Sequence, residues 1–167
     1  LAEMTNLGLP VPPGFTITTE ACKSYMAAGD RLPDGLMDEV ATALETLEGK
    51  MGKRLGDDAD PLLVSVRSGA PFSMPGMMDT VLNLGLNDRS VGGLSKQTGN
   101  ERFAYDSYRR FVQMVGKIVL DIDGELFEDE LEKLRHERGV ATDPELSASD
   151  LAELVETFKG IVKQEAG

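Results

Sequence analysis

Leu62-Leu63-Val64-Ser65-Val66-Arg67-Ser68-Gly69, then Met74-Pro75-Gly76-Met77-Met78-Asp79-Thr80 and Val81-Leu82-Asn83-Leu84, is the stretch on which the fold turns. Leu62 to Arg67 follows Pro61 and is rich in branched apolar residues, so it reads as a buried strand. Val81 to Leu84 reads as a second strand. Between them lie the turn residues Pro75 and Gly76 and three methionines, Met74, Met77 and Met78. Arg67 stands at the C-terminal end of the first strand. An unpaired cation in a core costs several kcal/mol, so Arg67 can hardly be buried there without an anionic partner. Ser68, Gly69 and Ala70 are small enough for a ligand or another backbone to come close. Two readings stand on the residues alone. In one, Arg67 forks onto a phosphate while loop N–H groups and the Thr80 hydroxyl complete the cradle. In the other, Arg67 is a structural residue paired with a carboxylate in a strand-end turn, and the methionines are core. The spacing is not that of a Walker A loop, since no Gly-Lys-Ser/Thr occurs.

Upstream, Leu7-Gly8-Leu9-Pro10-Val11-Pro12-Pro13-Gly14 cannot be helix, because each proline fixes φ and lacks a donor. Phe15-Thr16-Ile17-Thr18 alternates as a short strand, and Thr18 or Thr19 can cap a helix running to Ala28. Leu36, Val40, Ala43, Leu44, Leu47 and Met51 form a helical stripe. Downstream the texture changes to almost continuous helix, with Thr98-Gly99-Asn100 as the expected joint. Ala104, Tyr108, Phe111, Val112, Val115, Ile118, Val119 and Ile122 keep helical spacing. So do Leu151, Leu154, Val155, Phe158, Ile161 and Val162, after Ser147 or Ser149 as cap and with Asp150 and Glu153 at the positive helix end. Leu126 to Arg138 reads as a shorter, charged helix between them. The fold class is α/β (α+β): a part at 1–98 with a short sheet flanked by helices, and a small helical subdomain at 99–167.

Composition limits the function classes. Apolar residues at 41% and charged ones at 28% describe an ordinary globular chain rather than a disordered one. Seventeen basic against 29 acidic side chains give a net charge of −12, which disfavours a duplex nucleic-acid binder but permits a nucleotide held by a few placed cations. One cysteine, Cys22, excludes an internal disulfide and points to a reducing, cytoplasmic setting; it reads as a buried structural thiol. His136, the single histidine, lies in an Arg/Glu run and reads as an exposed helix residue. Asp121, Asp123 and Gly124 only loosely match a calcium loop, because the glycine comes too early, and helix termination at Gly124 is the favoured reading. No metal site, no membrane span and no signal peptide is expected. The chain opens Leu1-Ala2-Glu3 without Met, in what reads as a helix already under way, so it is expected to be a fragment.

Three blocks, in order, carry a resemblance. Leu9-Pro10-Val11-Pro12-Pro13-Gly14-Phe15, then Val66-Arg67-Ser68-Gly69-Ala70 with Met74-Pro75-Gly76-Met77-Met78-Asp79-Thr80-Val81-Leu82-Asn83-Leu84-Gly85, then Asn100-Glu101-Arg102-Phe103-Ala104-Tyr105-Asp106-Ser107-Tyr108-Arg109-Arg110-Phe111 resemble the N-terminal ATP-grasp region of pyruvate, phosphate dikinases. The third block resembles the start of that region's helical insertion. Phosphoenolpyruvate synthases share the Val-Arg-Ser theme but read differently after it.

The resemblance implies an enzyme that splits ATP to AMP and passes the β-phosphoryl through a histidine on a separate domain of the same chain. Pyruvate becomes phosphoenolpyruvate, and inorganic phosphate takes the γ-phosphoryl to give pyrophosphate. It further implies that Arg67 and Ser68 meet the ATP phosphates, with Gly76, Met77, Met78, Asp79 and Thr80 in the loop over the nucleotide. The family's phosphate-binding lysine would precede Leu1, and its Mg²⁺ ligands would follow Gly167. The phosphohistidine domain, the pyruvate-binding barrel and the homodimer contacts would also lie elsewhere, so His136 is not the phosphocarrier and the piece is inactive alone. An acidic interaction module whose Arg67 only pairs with a carboxylate is the alternative from another class.

Overall fold

The computed structural model describes residues 2–69 and 79–167. The chain divides into two compact units, Leu1–Lys53 and Arg54–Gly167. The described residues are mostly helical, with two small sheets, so the mixed α/β class holds.

The first unit carries three helices, α1 (Ala2–Asn6), α2 (Thr19–Ala27) and α3 (Leu36–Met51). Residues 9–18 are neither helix nor strand. The prolines act there as anticipated, but Phe15 to Thr18 does not become a strand. Its backbone is extended at Thr18 (φ −76°, ψ 162°), yet Phe15 and Ile17 stay exposed and no ladder forms. Alternation makes a strand only when a second strand supplies the hydrogen bonds. Thr18 does sit at the N-cap of α2, although its side chain accepts no capping bond. In α3 the predicted stripe is the least exposed face, from Leu36 through Val40, Ala43 and Leu44 to the buried Leu47; Met51 at the helix end is exposed. Cys22 is exposed, against the expectation of a buried thiol, because α2 buries none of its residues.

The second unit begins with β1 (Arg54–Leu55) and β2 (Pro61–Leu62), which pair in parallel, Arg54 with Pro61 and Leu55 with Leu62. The tight return between them is held by Asp57, whose Oδ1 accepts from the N–H of Ala59 and of Asp60, both at 2.8 Å. These two bonds keep the Asp57 carboxyl below its usual range. The single buried strand read over Leu62 to Arg67 is in fact broken at Leu63. Residues beyond the break form β3 (Val64–Arg67), which pairs antiparallel with β4 (Thr80–Leu84) in a separate sheet. Pro61 and Leu62 are buried, but Ser65, Val66 and Arg67 are exposed. A ladder of two strands covers little of its own surface, so apolar composition alone did not bring burial.

Gly85 closes the root of this ladder. Its φ of +118° suits glycine, and a Cβ there would strike the Leu62 carbonyl oxygen and crowd Leu55. The chain then enters α4 (Ser90–Thr98), a helix with no clear signal in its Gly-rich sequence. Side chains start it: Asn87 Oδ1 accepts from Arg89 and Ser90 N–H at 2.8 and 3.0 Å, while the Ser90 hydroxyl donates to the Gly85 carbonyl at 2.9 Å. Gly99 in the left-handed region ends α4, and Asn100 caps α5 (Glu101–Met114) by accepting from Phe103 N–H.

The helical stripe anticipated to Ile122 runs from α5 into a π-helical turn, Val115–Val119, where Leu120 N–H reaches back five residues to Val115. The wider turn takes Val119 off the stripe and leaves it exposed, whereas Ile122, beyond the helix end, is buried in the core as anticipated. Asp121 then takes φ 55°, and Asp123 caps α6 (Gly124–Arg138) by accepting from Glu125 N–H at 3.0 Å. Gly124 therefore starts a helix rather than ending one. The last helix, α7 (Ala148–Ala166), begins at Ser147, whose hydroxyl and backbone exchange bonds with Asp150 as a capping box. His136 is exposed on α6, as expected.

Helices α5, α6 and α7 enclose Phe127, Leu131, Leu151, Leu154 and Phe158. The rings of Phe127 and Phe158 meet edge to face at 5.0 Å. A second cluster joins Leu86, Val91 and Leu94 to Ala104, Tyr108 and Val155, so the root of the β3–β4 ladder is fastened to the helical body.

Candidate nucleotide-phosphate site

Arg67 and Thr80 are cross-strand partners at the open end of the β3–β4 ladder. Their backbones do not exchange hydrogen bonds, because those belong to the neighbouring pairs, and such a pair brings its two side chains close on one face of the sheet. Period-two alternation puts Ser65 on that same face. The Arg67 Nε donates to Ser65 Oγ at 3.4 Å, a long bond made by one of its three nitrogens. Arg67 is exposed, Thr80 half-buried. Among the described residues no carboxylate forms an ion pair with Arg67.

One residue further along, Ser68 faces Asp79. Ser68 N–H donates to the Asp79 carbonyl at 3.0 Å, and Asp79 N–H donates to Ser68 Oγ at 2.8 Å. Of the residues assigned from the sequence, the structure thus brings Arg67, Ser68, Asp79 and Thr80 together at one end of one hairpin. Gly76, Met77 and Met78 lie outside the described residues. The arrangement sets an exposed guanidinium opposite Thr80 at the end of the ladder.

Sequence reasoning passed over Ser65, whose link to Arg67 is a simple i, i+2 relation. It also passed over the ion pairs that hold the helical body under the hairpin. Lys159 bridges both oxygens of Asp88 at 2.9 and 3.0 Å, and Tyr108 donates to Asp88 at 2.9 Å. Arg109, buried on α5, pairs with Asp106 at 2.9 Å and Asp143 at 3.1 Å. Asp106 and Arg109 are an i, i+3 pair that the helix pattern could have shown, but Lys159 and Asp88 are 71 residues apart and no local pattern announces them. Among the described residues no group of three His, Cys, Asp or Glu side chains is placed to hold a metal ion, and no helix is long and apolar enough to cross a membrane.

No family model matches the chain. Curated relatives match it nearly end to end. Pyruvate, phosphate dikinase of Entamoeba histolytica is 57% identical over 158 residues, which is 95% of this chain and 18% of that protein. The chloroplastic pyruvate, phosphate dikinase 1 of Oryza sativa subsp. japonica is 55% identical over 167 residues, covering 100% of this chain and 18% of that protein. The Clostridium symbiosum pyruvate, phosphate dikinase is 54% identical over 164 residues, covering 98% and 19%. The chain therefore spans about 18% of the length of the curated relatives it matches. Identity above half along nearly every residue leaves one conclusion: this chain belongs, as a homologue of one segment, to the pyruvate, phosphate dikinase family.

Proposed function

We propose that this segment forms one wall of the ATP site of a pyruvate, phosphate dikinase, within an ATP-grasp nucleotide-binding domain. The observation that carries the reading is Arg67, an exposed guanidinium at the end of a ladder with no acidic partner among the described residues. An exposed guanidinium is solvated and needs no carboxylate, so this position is compatible with an anionic ligand without requiring one. Arg67 takes the phosphate chain of ATP and Thr80, on the same face, donates its hydroxyl. Gly76, Met77 and Met78 belong to the loop over the nucleotide. Phosphoryl transfer asks the protein mainly for placed positive charge and position, which a guanidinium on a fixed strand end supplies.

The complete reaction in this reading converts ATP, phosphate and pyruvate to AMP, pyrophosphate and phosphoenolpyruvate through a phosphohistidine. ATP acts with Mg²⁺, held by residues beyond this segment, and the segment alone is inactive. A cytoplasmic homodimer assembled through other domains completes the proposal, with residues 1–98 as the α/β part of the nucleotide domain and 99–167 as its helical subdomain.

The test is Arg67→Ala in a full-length dikinase carrying this segment. Loss of a phosphate-clamping cation lowers AMP formation by about 100-fold or more. Unchanged AMP formation and unchanged ATP affinity would remove Arg67 from the site.

A further inference from the structure

Ser68 occupies a position where the antiparallel ladder calls for two backbone bonds. The register Val66–Val81 and Arg67–Thr80 continues to Ser68–Asp79. Hydrogen-bonded pairs alternate along such a ladder, and the bond from Ser68 N–H to the Asp79 carbonyl marks Ser68–Asp79 as one of them. In an ordinary pair each residue's N–H would reach the other's carbonyl. Here Ser68 N–H does reach the Asp79 carbonyl at 3.0 Å, but Asp79 N–H ends on Ser68 Oγ at 2.8 Å. The hydroxyl also lies 3.4 Å from the Asp79 carbonyl, as a donor. A side chain has taken the place of a backbone acceptor, as serine does in local turns. The Asp79 N–H therefore uses the Ser68 hydroxyl and not the Ser68 carbonyl.

We infer that Ser68 is a positioning residue, a latch that ties the end of β3 to Asp79 at the start of β4 and so holds Arg67 against Thr80, rather than a ligand of the phosphates. The inference rests on the proposed ATP site for its functional consequence. Its structural half does not depend on that site.

The latch has a readout in the 167-residue chain without nucleotide. Losing one neutral hydrogen bond speeds exchange of the Asp79 amide by about fivefold to tenfold in Ser68→Ala, while Ser68→Thr, which keeps an acceptor oxygen, stays near the parent value. The same two variants in a full-length dikinase carrying this segment separate the two roles. A latch lowers kcat for AMP formation about tenfold in Ser68→Ala with the KM for ATP little changed, and Ser68→Thr restores it. Unaltered Asp79 exchange in Ser68→Ala overturns the inference. So does a raised KM for ATP at unchanged kcat, the mark of a direct phosphate contact. If Arg67→Ala proves silent while Asp79 exchange responds as expected, the ATP-site proposal falls and the latch stands.

Discussion

Lys159 on α7 holds the Asp88 carboxylate by both oxygens, and Tyr108 on α5 donates to the same carboxylate. Asp88 belongs to the short connection between β4 and α4, so one acidic side chain gathers the root of the hairpin and two helices. The pair lies at the surface, with Asp88 well exposed, and Lys159→Met should therefore cost under about 1 kcal/mol in a denaturant melt.

The phenol of Tyr108 gives this junction a pH signature. Burial, reinforced by the bond to Asp88, pushes it from 10.0 up to about 12. A group whose pKa is higher in the folded chain favours the fold while it remains protonated. That share of stability is intact below pH 10 and is lost as the pH rises from 10 towards 12. Absorbance titration of the three tyrosines should show one phenolate step near pH 12 that is missing in Tyr108→Phe. A step unaffected by that substitution would refute the assignment.

At the start of α7 the sign is opposite. The Ser147 hydroxyl, the Arg138 guanidinium and the Ser147 N–H hold Asp150 at about 2. A depressed carboxyl stabilises the fold above its unfolded value near 3.8 and stops doing so as the pH falls towards 2. Ser147→Ala removes both the cap and the largest cause of the shift. It should cost about 1 kcal/mol at neutral pH, and carboxyl NMR should show Asp150 titrating closer to 3.8.

Arg109 is the buried cation of the helical body, paired with Asp106 and Asp143 and 4% exposed. Arg109→Met removes the buried partner that Asp106 and Asp143 share but leaves Arg110 on Asp106 and Arg135 on Asp143, and should destabilise the chain by about 1–3 kcal/mol. Arg109→Lys keeps the charge but not the fork and should fall between. Thermal melts of the three proteins give the order directly.

Gly116 in the π-helical turn has no room for a side chain, since a Cβ would come within 2.5 Å of the Phe127 ring. Gly116→Ala should cost about 1–3 kcal/mol by overpacking. Phe127→Leu alone should also be costly, yet together the two should be less harmful than their sum, which a double-mutant cycle in urea measures.

Legible in the sequence is whatever chain neighbours decide among themselves. The stripe from Leu36 to Leu47 and the Ser147–Asp150 cap are set within a few residues, and both can be read there. Phe15 to Thr18 carries the pattern of a strand and lacks the other strand, which sequence alternation cannot supply. The run from Leu62 to Arg67 is apolar enough for one strand, but Leu63 is where the chain exchanges one sheet partner for another. Helix α4 hides its start in Asn87 and Ser90, side chains that act on backbone groups up to five residues away. At the candidate site the residue types are legible, whereas the division of labour is not. Ser68 reads as a ligand in the sequence, and only the bond from Asp79 N–H to its hydroxyl points to a different role.

The change of sheet at Leu63 and the sealed contact at Gly85 divide this hairpin into a root and a tip under different rules of inheritance. At the root, a single methyl group on Gly85 meets the Leu62 carbonyl, so drift is blocked. At the tip, the hydroxyl oxygen of Ser68 that accepts from Asp79 N–H can be supplied by threonine as well. A lineage that keeps this hairpin can therefore exchange serine for threonine at 68 but is held to glycine at 85.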